Sequence, residues 1–179
     1  MGQKNNDTGN MQIESKREKW GVINMKSRVD EAANRKRNGY NCAQAVACTY
    51  CDLAEIDEDT MKNLMQGFAV GMGGSMEGTC GALVGATSVL GMINKNPQKT
   101  VKDTRKMMQD FMGENGTVVC KELKGIDDGI VKRECIDCVK DAACLLEKSV
   151  FSWLNVIEGE DKLYFYARNW YFGRENYYW

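Results

Sequence analysis

Eight cysteines and no histidine set the chemistry open to this 179-residue chain: Cys42, Cys48, Cys51, Cys80, Cys120, Cys135, Cys138 and Cys144. The missing imidazole removes Ser-His and Cys-His nucleophile pairs, His-Glu-x-x-His zinc hydrolysis and histidine ligation of haem. A soft metal would have to be held mainly by thiolates. In a cytoplasmic setting, the expected one here, thiols stay reduced. Eight of them then point to metal binding or redox catalysis more than to structural disulfides.

Cys80 carries the strongest individual signal. It opens a helical pattern, and a thiol in a first helical turn sees the partial positive charge of the helix start, which favours the thiolate. Glycines on both sides admit a ligand or a second sulfur; a small buried residue at a helix crossing is the competing reading. Cys135-Ile-Asp-Cys138 places two side chains about 5–6 Å apart on one helix, which suits a dithiol or half of a four-thiolate site. Both also lie on an apolar stripe, so core packing explains them equally well. Cys48-Thr-Tyr-Cys51 has the same spacing but falls mainly off the inner face of its helix, and Cys144 reads as packing. Neither pair has the turn and neighbouring strand of a thioredoxin motif. Cys42 and Cys120 each stand early in a proposed helix. With Cys80 and Cys135 they make four thiols on four helices, which a bundle converging its helix starts would join into one site.

The elements that must position these sulfurs are all helical. Residues 14–37 carry Val22, Met25, Val29 and Ala32/Ala33 at helical spacing, with a break near Gly21 and a stop at Asn38-Gly39. Asn41 caps a helix over 42–53 with an inner stripe of Cys42, Ala45/Val46, Thr49 and Leu53. Asp57 caps a third, with Met61, Leu64, Met65 and Phe68 facing inward. Glycine recurs between residues 67 and 86 more densely than packing alone explains. Gly71 to Gly78 reads as a loop, Thr79 as an N-cap, and 80–93 as a helix. Its Gly81/Gly85 and Ala82/Ala86 offer a smooth face for close helix contact. Asn96-Pro97 starts a helix to Met112, with Val101, Thr104/Arg105, Met108 and Phe111/Met112 aligned and Gly113 ending it. A short helix over 117–124 carries Cys120. Asp127-Asp128 opens the last, to Val150, striped by Val131, Cys135, Cys138, Ala142 and Leu145/Leu146.

The fold class is therefore all-α, a compact multi-helix bundle with a glycine-rich loop leading into a central helix. Residues 1–12 are polar and expected to be disordered. Residues 13–150 form the helical cysteine domain, and 151–179 an aromatic extension holding 11 of the 16 aromatics. Lys plus Arg (24) nearly balances Asp plus Glu (25), leaving no field to attract nucleic acid. No apolar run approaches the roughly 20 residues that span a bilayer. The first residues show no secretory signal, and Asn6 stands where a myristoylation signal has Ser or Thr. The glycine run holds no Gly-x-x-x-x-Gly-Lys-Ser/Thr and follows no strand, so phosphate-loop and dinucleotide readings fail. The carboxylates are dispersed, with no convergent acid pair. A redox partner protein is the expected partner, and a homodimer would suit the aromatic tail and small-residue helix face.

Taken in order, Gly39-Tyr40-Asn41-Cys42-Ala43-Gln44-Ala45-Val46, Gly67-Phe68 to Gly73, Cys80-Gly81-Ala82-Leu83-Val84-Gly85-Ala86, Cys120-Lys-Glu-Leu123 and Cys135-x-x-x-Val139-Lys-Asp-Ala142-Ala143 resemble the C-GCAxxG-C-C family over about residues 25–150. The resemblance implies a helical domain with four characteristic cysteines, here Cys42, Cys80, Cys120 and Cys135, and redox activity by presumption. A related domain accompanies haem segments in split-Soret cytochromes, where an iron–sulfur centre is implied. This chain has no Cys-x-x-Cys-His and so cannot attach a c-type haem. Its central motif reads Cys-Gly-Ala, where the family's signature places glycine before cysteine, and Cys138 competes with Cys135 for the fourth position.

Four thiolates are the usual complement of an iron–sulfur cluster, which makes one-electron transfer the leading expectation, with Cys138 as a substitute ligand. The same residues also satisfy a cofactor-free thiol–disulfide enzyme, with Cys80 as nucleophile and Cys135 or Cys138 resolving it. A structural zinc–thiolate site is the third expectation.

Overall fold

Cys42–Thr49 is buried on every side and forms the helix around which the others pack (α2). The chain is seen here in a computed structural model that describes residues 26–151. A helix of Cys, Ala, Val and Thr with one Gln has no charged face to turn outward, so it belongs inside. Its start is fixed by a capping box. Gln44 N–H donates to Asn41 Oδ1 at 2.8 Å and Asn41 N–H donates to Gln44 Oε1 at 3.0 Å, satisfying two helix-end amides.

Before it comes α1 (Val29–Arg37), acidic in its first turn and basic in its last, as the helix dipole favours. After it, Asp57 accepts from Thr60 N–H at 2.9 Å and starts α3 (Glu58–Leu64). A 3₁₀ turn (Gln66–Phe68) and the glycine-rich loop lead into α4 (Gly81–Asn94). Then follow α5 (Pro97–Asn115), the single turn α6 (Cys120–Leu123) and α7 (Cys135–Phe151). The described residues thus form an all-helical bundle, with one isolated antiparallel bridge, Thr79 to Val119, and no strand. The α2 helix lies against α1, α3, α4 and α7, while α5 covers α4 and α7. No helix among the described residues is long and apolar enough to cross a membrane.

The α4 and α2 helices approach closely. A Cβ on Gly81 would stand 2.5 Å from Cys42 Sγ and from the Phe68 carbonyl oxygen, and one on Gly85 would run into the Ala43 carbonyl. Both glycines are therefore required by contact, and the smooth face expected from the sequence is used against α2.

Several expected boundaries move. The first helix begins at Val29; its expected part over 14–25 lies outside the described residues, as do residues 1–12 and the aromatic tail beyond 151. The α2 helix ends at Thr49, and its all-round burial encloses Cys48 as well as the expected stripe. Leu64 is exposed, because Met61 and Met65, one turn apart, already fill the inner side of α3. Cys80, not Thr79, is the N-cap residue of α4. The α5 helix runs through Gly113 and stops at Gly116, whose φ of +77° makes the left-handed cap. Its buried side is Met107, Phe111 and Asn115, leaving Val101 and Met112 exposed. Finally, α7 begins at Cys135. Gly125 and Gly129 take left-handed φ, and Asp128 Oδ1 accepts from Ile130 N–H at 2.9 Å. That local turn competes with a helix start and leaves Val131 exposed.

Two glycine substitutions test this packing in opposite directions. Gly85→Ala is expected to destabilise the protein by about 1–3 kcal/mol, through overpacking against Ala43. Gly113→Ala meets nothing within 4 Å and is expected to stabilise α5 by roughly 0.5–1 kcal/mol, the helix-interior penalty of glycine. Urea titration reads both; a stabilised Gly85→Ala or a destabilised Gly113→Ala would contradict the geometry.

Candidate functional site

Five of the eight thiols line one cavity of about 270 Å³. Each arrives by way of a helix start. Cys42 is the first residue of α2, Cys80 the N-cap residue of α4, Cys120 the first residue of α6 and Cys135 the first of α7, with Cys138 one turn further on. All four cysteines of the expected set are thus brought to the same space, and Cys138 joins them. Lys36, Lys124 and Arg133 stand in the wall with Asn41, Val70, Met76 and Leu123.

Backbone hydrogen bonds place the sulfurs. The Thr79–Val119 bridge continues as Cys80 N–H to the Val118 carbonyl at 2.8 Å and Cys120 N–H to the Gly78 carbonyl at 3.0 Å. Lys121 N–H to the Met76 carbonyl at 2.9 Å ties the loop to α6. Gly71 lets this loop lie against α6: a Cβ there would stand 2.8 Å from Cys120 Cβ. Val70 and Met76, both in the cavity wall, hold left-handed φ of +51° and +62°. Such backbone costs about 1–3 kcal/mol per residue and is most unfavourable for a β-branched side chain. At Val70 it turns the amide toward the Cys42 sulfur, to which the N–H donates.

Inside the cavity the thiols pair. Cys135 donates to the Cys42 sulfur, and this contact, with the Val70 amide and Lys36, outweighs burial and holds Cys42 well below its ordinary range, at about 6. Cys138 donates to the Cys80 sulfur, which the Ala82 and Leu83 amides at the start of α4 also favour as thiolate; Cys80 is lowered. Their donors move the other way: Cys135 is pushed up by its bond to Cys42 and by burial, and Cys138 by its bond to Cys80 and by burial. Cys120 is raised by burial and by the charge of Cys80.

The Cys138 sulfur also lies 3.9 Å from the Arg133 carbonyl oxygen. The Arg133 guanidinium is held by the buried Asp141 through two bonds of 2.9 and 3.0 Å. Among the described residues, no three Cys, Asp or Glu side chains gather tightly enough to hold a single metal ion. The sulfurs line a space rather than a point.

The remaining thiols are elsewhere. Cys48 and Cys144 are pushed up to about 11 by burial, and Cys51 is raised chiefly by burial too. None of the three lines the cavity. Sequence reasoning missed Lys36, Lys124, Arg133 and Val70. The lysines carry no motif, Arg133 sits in a turn that the helical pattern hid, and nothing in a lone valine signals left-handed backbone.

Residues 40–149, more than half of the chain, match the family described as "Putative redox-active protein (C_GCAxxG_C_C)". No curated protein and no solved structure matches the chain. With Cys42, Cys80, Cys120 and Cys135 all inside the matched span and all facing one cavity, the chain belongs to this family.

Proposed function

We propose that the protein transfers electrons by way of an iron–sulfur cluster held by Cys42, Cys80, Cys120 and Cys135. The observation that carries this reading is the convergence of five thiols, from four separate helices, on a single cavity of about 270 Å³. A bound cluster would supply one-electron chemistry with thiolates as its protein ligands. The chain's own residues suit that role. Cys42 and Cys80 favour the thiolate, which is the ligating form. Lys36, Lys124 and Arg133 offset negative charge in the cavity, and Val70, Met76 and Leu123 restrict water.

The donor arrangement fits a polynuclear group better than one zinc ion. Zinc draws four sulfurs to about 2.3 Å from a single centre. Here five thiols line a cavity of about 270 Å³, room for a group larger than one ion. The family's redox character supports the same choice.

Protein purified without oxygen is expected to be brown and to contain iron and acid-labile sulfide. Cys80→Ser and Cys120→Ser should each lose most of the iron, while Cys51→Ser, outside the cavity, keeps it; circular dichroism confirms that each variant remains helical. Stoichiometric zinc without sulfide, or iron retained in both cavity variants, would overturn the reading.

In the metal-free protein, the thiols should differ sharply in pH dependence. Cys42, lowered to about 6, remains a thiolate until the pH falls through that value. Its alkylation by iodoacetamide is therefore expected to rise through about pH 6 and level off above it. Cys144, raised to about 11, should stay protonated and slow at neutral pH. Peptide mass spectrometry after timed alkylation measures both; equal rates at pH 7 would contradict the electrostatics.

A further inference from the structure

A four-ligand cluster leaves one cavity thiol over, and the contacts say what it faces. Along α7, Cys135 and Cys138 sit one turn apart on the side that meets α2 and α4. Opposite them, Cys42 and Cys80 stand at the starts of α2 and α4, which Gly81 allows to touch. All four line the same cavity, and electrostatically Cys135 acts chiefly on Cys42 and Cys138 chiefly on Cys80. Cys120 comes from α6 and is in neither pair, although it lines the same space.

We propose that oxidation of the cluster-free protein closes two disulfides, Cys42–Cys135 and Cys80–Cys138, leaving Cys120 a thiol and withdrawing four of the five cavity sulfurs from metal binding. The proposal rests on the reading of the cavity as a cluster site and gives that site a redox lock. Cys138 is then the dedicated partner of Cys80 and not a spare ligand.

Hydrogen peroxide serves as the oxidant. In each couple one sulfur attacks a peroxide oxygen, the O–O bond breaks, and the sulfur becomes a sulfenic acid. The departing hydroxide takes that thiol's proton and leaves as water. The second sulfur then attacks the first, the S–O bond breaks, and the hydroxyl leaves with the second thiol's proton as another water. Two thiols thus give two electrons to one peroxide, forming one disulfide and two waters. A thiol reductant reverses the closure by exchange. Cys135 is only half-buried while Cys138 is 2% exposed, so the Cys42 couple closes first.

The test uses the full chain, freed of metal and reduced, then treated with hydrogen peroxide and alkylated. Digestion with trypsin and Asp-N separates Cys135 from Cys138 at Asp137, and tandem mass spectrometry assigns the linked residues. The expected map is Cys42–Cys135 and Cys80–Cys138 with Cys120 alkylated. Iron and sulfide uptake should be lost in the oxidised protein and return on reduction. In Cys138→Ser, the Cys42–Cys135 link should persist while Cys80 stays as a sulfenic acid that dimedone labels. A link from Cys120, a crossed pairing, or no link would overturn the proposal, as would undiminished uptake by the doubly linked protein. If the reduced protein takes up no iron at all, the cluster reading falls, and the disulfide map still decides the pairing.

Discussion

The contact between the start of α4 and the start of α2 is the constraint on which the rest of the molecule depends. Gly81 lies against the Cys42 sulfur and Gly85 against the Ala43 carbonyl, so two helix starts occupy a space that any larger residue would deny them. Once α4 is seated there, Cys80 at its N-cap falls beside Cys42, the Thr79–Val119 bridge draws in Cys120, and α7 packs across both helices with Cys135 and Cys138. The arrangement is locally unfavourable. Glycine inside a helix sacrifices roughly 0.5–1 kcal/mol relative to alanine, and left-handed Val70 and Met76 add strain. Local rules broken together at one place are the mark of a functional site more than of a structural one.

Electrostatics at the cavity oppose what burial alone would do. A buried thiol normally resists ionisation, as Cys48 and Cys144 show. In the cavity, helix-start amides, the Val70 amide, Lys36 and a neighbouring thiol donor reverse that preference for Cys42 and Cys80. Each favoured thiolate has its donor directly opposite, so the site holds charge and proton in pairs. Arg133, braced by Asp141, adds fixed positive charge at the wall.

Much of this was legible in the sequence where a local interaction decides the outcome. Asn41 with Gln44, Asp57 with Thr60, and Asn96 before Pro97 each fix a helix start by their own hydrogen bonds, and each was readable. The Gly81/Gly85 face was readable too, because the absence of side chains at one-turn spacing has one main use. Errors arose where two local signals competed. Gly113 and Gly116 both offer a helix end, and only the backbone angle at Gly116 distinguishes them. Asp127-Asp128 looks like a helix start, yet Gly129 and the bond to Ile130 make a turn there. The four cysteines came together in the sequence through family resemblance and helix-end logic. Their pairing, the part of Cys138 in it, and the cations around them depend on tertiary register that no local pattern encodes.

Five sulfurs share one space at the meeting of α2, α4, α6 and α7. The most direct measurement is a sulfur anomalous difference map from crystals grown without oxygen, which locates each Sγ independently of any assigned chemistry. The prediction is five cysteine peaks around a single cavity, with those of Cys48, Cys51 and Cys144 lying apart from it. Peaks for Cys42, Cys80, Cys120 and Cys135 dispersed through separate parts of the core would contradict it.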